Sequence, residues 1–459
     1  GGSAMEMVLE FLRDVLSQPA LLIGIMSCVG LVALKRPFHK VMTGTLKPIL
    51  GYLMLAAGAG VIVSNLDPLG KMIEHGFHIT GVVPNNEAIV AVAQKVLGVE
   101  TMSILVVGLL MNLCIARFTK FKYVFLTGHH SLFMACLMSA VLGTAGLSGM
   151  ELILVGGFLM GAWSAISPAI GQSYTSKVTD GDEIALGHFG SLGYYLSAWV
   201  AKYVGKADDS TEDIEIPEKW GFLRDSTLST ALTMIVFYLI AALAAGSEFV
   251  ATLSGSMSPY LFAVMSAMNF AVGVAIVYSG VRMILGDLIP AFQGIATKII
   301  PNAIPAVDCA VFFTYAPTAV VLGFISSFIG GIIGMLILGA VGGVLIIPGL
   351  VPHFFCGATA GIYGNATGGR RGAAVGAFLN GLAITFLPAL ALPVLGQLGF
   401  QNTTFGDADF AVMGLVLGHA FEWIGMAGIY GIVAIAALVL IIPNFIKTKG
   451  KVINYVEEE

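Results

Sequence analysis

Two acids stand out in this chain of 459 residues because of their surroundings. Glu87 sits in GVVPNNEAIVA and Asp308 in PNAIPAVDCAVFF, each three positions after a proline and beside strongly apolar sequence. An ionisable group in such sequence is costly inside a bilayer unless it lines a cavity or finds a partner. The prolines, Pro84 and Pro305, prevent normal helix continuation and leave backbone N–H and C=O groups free to act as ligands. Two broken segments with an acid at each tip, and Asn86 beside Glu87, therefore predict a polar substrate site within the membrane. An acid after a proline turn also caps a helix start, and the two roles are compatible.

Histidines form the second set. His129 and His130 occur in YVFLTGHHSLFM and His188 in EIALGHFGSLGYY, both after a glycine that lets a ligand or a backbone approach closely. An imidazole there can donate or accept, and its charge changes near neutral pH. The expectation is that His129 and His188 contact the ligand and that His130 turns away from whatever His129 faces. His39, His75, His78 and His419 are assigned no role. The five cysteines (Cys28, Cys114, Cys136, Cys309, Cys356) are isolated in apolar sequence, which argues against disulfides and metal sites. No metal signature, nucleophile elbow or Walker loop is present, and neither a metal nor another cofactor is expected. If a group is transferred, its electrophile arrives from another protein or from solution. The glycine-rich stretch PHFFCGATAGIYGNATGGRRG predicts a short crossing packed through small residues, with Phe355 and Asn365 as further site-lining candidates.

Composition dictates what must hold these residues. With 57% hydrophobic and 11% charged residues and a mean hydropathy of +0.91, this is an all-α polytopic membrane protein. At about 20 residues per span the chain supplies roughly ten to twelve segments. A nucleic-acid binder, a secreted disulfide scaffold and a cytosolic enzyme are excluded. Lys35, Arg36, Lys40 and Lys47 follow the first span, and Arg117, Lys120 and Lys122 the third. Further clusters are Lys202 to Arg224, Arg282, Arg370 with Arg371, and Lys447 to Lys451. Placing all of them in the cytoplasm predicts an outside N-terminus, an inside C-terminus and eleven crossings.

Residues 1–4 read as a cloning remnant before Met5, and Glu6, Glu10, Arg13 and Asp14 argue against a cleavable leader. Residues 5–204 form a first membrane half with re-entrant segments. The acidic stretch 205–226 is a cytoplasmic connector, and residues 227–459 form a second membrane half with a basic tail. The halves share a layout: Pro68 to Pro84 spans 16 positions and Pro290 to Pro305 spans 15, each followed by an acid. His129 lies 42 positions after Glu87 and His353 lies 45 after Asp308. This pattern favours inverted repeats whose broken helices meet at the bilayer midplane.

GVVPNNEAIVA, LTGHHSLF, VTDGDEIALGHFGS, IIPNAIPAVDCAVFFTYAPTAVVLGF and LIIPGLVPHFFCGATAGIYGN, in this order, resemble the membrane subunit (enzyme IIC) of the ascorbate-specific phosphoenolpyruvate-dependent phosphotransferase system. The resemblance covers essentially the whole chain. It implies an eleven-helix homodimer in the bacterial inner membrane, with a core domain that holds the sugar and a V-shaped domain that dimerises. It also implies elevator-like motion, L-ascorbate as substrate, and a phosphorylated enzyme IIB, charged by IIA upstream, as partner. The family's site positions fall on Asn86, Glu87, His129, His188 and Asp308. Phe189 and Gly190 stand where some relatives carry glutamines. Asp308 is the candidate base for phosphoryl transfer. The alternative is a proton- or sodium-coupled secondary transporter of a small organic anion or related sugar. An intramembrane enzyme is disfavoured because no nucleophile lies beside a base.

Overall fold

The computed structural model describes residues 2–84, 86–395 and 403–446. The basic tail with Lys447, Lys449 and Lys451 lies outside the described residues, as do the side chains of residues 87–98, Glu87 among them.

Most of the helices are apolar runs with few charges, which satisfy their backbone internally. The helices are α1 (Gly2–Leu16), α2 (Pro19–Ala33), α3 (Phe38–Gly76), α4 (Asn86–Phe118), α5 (Gly128–Thr144), α6 (Gly149–Ile170), α7 (Gln172–Thr179), α8 (Ser191–Val204), α9 (Ser226–Ala245), α10 (Ser247–Ser254), α11 (Pro259–Lys298), α12 (Pro317–Ala340), α13 (Leu350–Ala391), α14 (Ala408–Ile424) and α15 (Met426–Ile441). Among the described residues, eight helices are long and apolar enough to cross a membrane, and nine if the pair α1–α2, bent by 82°, forms one span. Length counts α13 once, although its 42 residues are two helices joined at Gly369, whose φ of +64° a residue with a side chain rarely adopts. Arg282, expected in a connection, lies instead on the exposed side of α11. That helix continues through Pro290 to Lys298, as α3 continues through Pro68 to Gly76.

The helix breaks take the form of short extended segments, β1 (Val83–Pro84), β2 (Tyr123–Phe125), β3 (Ala185–Leu186), β4 (Ile304–Val307) and β5 (Thr403–Thr404). All pair in parallel and across the halves. β1 pairs with β5, and the adjacent Val82 bridges to Ile346; β4 pairs with both β2 and β3. In each small sheet, one segment of one half meets two segments of the other. The succession long helix, strand, helix recurs as α3–β1–α4 and α11–β4–α12. These pairings satisfy the backbone groups that the broken helices expose, which the membrane interior otherwise makes costly.

The helices sort into two units. One contains α2, α3, α9, α10 and α11. The other contains α4 to α8 and α12 to α15, with α12 and α13 in extensive contact; backbones of the two units approach closely at few places, and their side chains share an apolar core in which Phe237 and Phe270 meet Phe324, Phe328 and Phe354, while α1 touches both α2 and α4. In the first unit α3 and α11 cross backbone to backbone at two glycine pairs, Gly51 with Gly280 and Gly58 with Gly273. A Cβ on Gly280 would lie 2.6 Å from both Gly51 O and Leu55 N. Such close approach lets membrane helices pack without a hydrophobic driving force. Gly280→Ala is therefore expected to cost about 1–3 kcal/mol of stability through overpacking. Thermal unfolding in detergent measures it, and an unchanged transition would count against this packing.

The stretch 205–226 departs from a merely solvated connector. Thr211 is buried, and its N–H donates to Asn365 Oδ1 at 2.8 Å. Arg370 Nη2 pairs with Asp209 Oδ1 at 3.1 Å, and Glu212 Oε1 accepts the Thr318 N–H at the start of α12 at 2.8 Å. The connector thus straps the break in α13.

Candidate functional site

The extended segments deliver their C-terminal ends to one place. After β2 come His129 and His130 in the first turn of α5. His188 follows β3, Asp308 follows β4, and Asp407 follows β5 at the start of α14. Asn86 opens α4 just after β1. The α4, α5, α8 and α14 N-termini, from both halves, thereby converge. Their free N–H groups and dipoles favour negative charge.

Asp308 is almost fully buried and holds two kinds of partner. Its Oδ1 accepts the Ala310 N–H at 3.5 Å, capping the 3-10 turn Cys309–Tyr315, and its Oδ2 accepts the Tyr52 hydroxyl of α3 at 2.8 Å. His129 Nε2 faces the same Oδ2 from 3.8 Å, and the His129 side chain is 34% exposed. That separation is too long for a hydrogen bond and too short to hold an oxygen in line, but a ligand hydroxyl lying to one side can reach both groups. His188 places a ring nitrogen within 4.8 Å of the Asp308 carboxylate.

The second acid is Asp407. Its Oδ2 lies 3.5 Å from His130 Nε2 and 3.7 Å from His188 Nε2, and its Oδ1 faces the Asn86 amide at 3.4 Å. Asn86 Oδ1 in turn accepts the Gly406 N–H at 2.8 Å. Backbone donors fix the imidazole tautomers. The Phe189 N–H donates to His130 Nδ1 at 3.1 Å and the Gly190 N–H to His188 Nδ1 at 3.3 Å, with the Tyr194 hydroxyl 2.9 Å from the latter. A ring nitrogen that accepts from the backbone carries no proton, so in both rings the proton sits on Nε2, aimed at Asp407. His130, His188 and Asp407 are close enough to hold a metal ion, as are His188, Asp308 and Cys309. The tautomers turn the first set into a donor–acceptor cluster, because each Nε2 lone pair that a metal needs is protonated.

Behind Asp407, the fully buried Asp409 accepts from Ser191 Oγ at 2.6 Å, Leu192 N at 2.9 Å and Trp163 Nε1 at 3.1 Å. Its own N–H donates to Phe189 O at 3.0 Å. This knot joins α6, α8 and α14 and sets the relative position of His188 and Asp407.

Of the residues expected from sequence, the structure brings together Asn86, His129, His188 and Asp308. Asn86 reaches the others through Asp407, and the Glu87 side chain lies outside the described residues. His130 faces Asp407 rather than the Asp308 that His129 faces, yet it stays in the cluster, its ring tilted by 38° and 3.9 Å from that of His188, because the site wraps around the start of α5 and takes both neighbours. Asn365 holds the connector and Phe355 stacks on Phe313, so neither touches these acids or histidines in a described contact. His353, the counterpart of His129 by spacing, is buried against Ser327 at 2.8 Å. Sequence reasoning missed Tyr52, Asp407 and Asp409. The only cue was that two acids in FGDADF precede the apolar run of α14.

The chain is 27% identical over 417 aligned positions to the ascorbate-specific PTS system EIIC component of Mycoplasma pneumoniae. The alignment covers 78% of this chain and 62% of that relative, so the chain spans less than two thirds of the relative's length. The profile of a permease family matches residues 14–409, across both halves and all the acids and histidines above. A chain matched over that extent, with its breaks meeting in one polar cluster, belongs to the PTS system sugar-specific permease component family.

Proposed function

We propose that this chain is the enzyme IIC permease of a phosphoenolpyruvate-dependent phosphotransferase system. It takes up L-ascorbate, which phosphorylated enzyme IIB, charged by IIA upstream, phosphorylates on the cytoplasmic side. The observation that carries this reading is the pairing of a partly exposed imidazole, His129, with a buried carboxylate, Asp308, near enough for one ligand hydroxyl to reach both. Ascorbate arrives as an anion, and converging helix N-termini with imidazole N–H groups compensate it while the carboxylates accept its hydroxyls. A site built to bond hydroxyls rejects analogues that lack them. Phosphoryl transfer needs an in-line oxygen and a group that takes its proton, and Asp308 is that base.

The division into two helix units that meet through largely apolar side chains, with few close backbone approaches, supports alternating access by displacement of the site-bearing core against the unit of α2, α3 and α9 to α11. The exchange of strands between halves with the same element order supports internal duplication in opposed orientation. The first unit is assigned the homodimer contact, the lysine-rich connections the cytoplasmic side of the bacterial inner membrane, and the N-terminus the outside.

Uptake into reconstituted vesicles tests the function. Labelled L-ascorbate is expected to accumulate only with phosphorylated enzyme IIB inside. Accumulation driven by a proton or sodium gradient without IIB would instead establish an ion-coupled carrier. Equilibrium binding against pentitols, hexitols and sugar acids tests specificity, and binding of a hexitol but not ascorbate would transfer the assignment to that substrate.

A further inference from the structure

The Tyr52 hydroxyl joins the two helix units at the site itself. Tyr52 is buried on α3, in the unit packed around the glycine crossings, whereas Asp308 caps the turn leading into α12 of the other unit. The bond between them, at 2.8 Å, is a phenol donating to a carboxylate that is nearly shut off from solvent. Hydrogen bonds to a charged acceptor are the strong kind, and a low-dielectric site strengthens them further. Elsewhere the units meet largely through apolar side chains, such as Phe237 and Phe270 against Phe324, Phe328 and Phe354, so this bond adds a directional contact to a non-directional interface. It also ends on Oδ2, the oxygen that faces His129 at the accessible side of the site.

We propose that Tyr52 is a positioning residue that latches the core in the position seen here, tying that position to the acid that receives the substrate. This rests on the alternating-access reading above. When the core moves, Asp308 leaves α3 behind and the phenol loses its acceptor. Leaving this position therefore costs one charge-assisted hydrogen bond, and a substrate hydroxyl that draws on Oδ2 weakens the latch as it binds. The substrate acid and the displacement are thus coupled through a single oxygen.

Single-molecule energy transfer tests this. Fluorophores are placed through genetically encoded azide residues at exposed Leu243 on α9 and Leu336 on α12, one on each unit. The unliganded protein is expected to populate mainly the distance found in this structure. Tyr52→Phe keeps the ring and is expected to lower the ratio of this population to the displaced one about tenfold. Tyr238→Phe is the control, because its hydroxyl bonds Asn65 O inside one unit, and it should leave the ratio alone. Two distances with the same ratio in Tyr52→Phe as in the parent would overturn the latch and spare the alternating-access reading. A single distance under every ligand condition would overturn both.

Discussion

Asp308→Asn is expected to slow phosphorylation of substrate by phosphorylated enzyme IIB by roughly 10²- to 10⁴-fold, the range a positioned general base contributes. Equilibrium binding should remain measurable. The substitution conserves shape: the asparagine carbonyl oxygen can still accept from Tyr52, so the bond between the helix units persists in a weaker, neutral form. What it removes is the capacity to take a proton from the attacking hydroxyl and the negative charge opposite His129. The comparison that decides is rapid-quench phosphorylation against ligand binding on one preparation. A variant that phosphorylates at the parent rate would exclude Asp308 as the base. Loss of binding together with loss of phosphorylation would make it a ligand-holding residue instead.

The largest effect on stability is expected at Asp409. Replacement by alanine leaves Ser191 Oγ, Leu192 N and Trp163 Nε1 without the acceptor they share at a fully buried position. Each stranded donor costs about 1–3 kcal/mol, and losing one partner of a buried charged network costs about 3–5 kcal/mol in total. Unfolding of Asp409→Ala in detergent should therefore occur several degrees below the parent. Asp409→Asn, which keeps one acceptor oxygen, should fall between. The consequence reaches the site, because Asp409 lies two positions after Asp407 and its partners Ser191 and Leu192 lie three and four positions after His188. Ligand binding by the alanine variant should weaken even where protein remains folded. An unfolding transition equal to the parent's would show that the knot contributes nothing.

Much of this protein was legible along the chain. Apolar runs fixed the helices, because a backbone surrounded by hydrocarbon must satisfy itself within the segment. Prolines before Asn86 and Asp308 marked where helices break, and glycines before His129 and His188 marked where a backbone comes close. What the chain could not state is which break meets which. Strands of two to four residues carry almost no local pattern, and their partners lie in the other half. Tyr52 meets Asp308 across 256 positions, Ser191 meets Asp409 across 218 and Asn86 meets Asp407 across 321. Hydrophobic periodicity tells a helix which face is apolar but not which helix it will face. A tyrosine in an apolar helix and two acids at a helix start thus read as ordinary until folding brought their donors. His130 shows the same limit from the other side. Neighbours on a helix point about 100° apart, but a pocket that surrounds the helix start takes both, and only the tertiary structure supplies such a pocket.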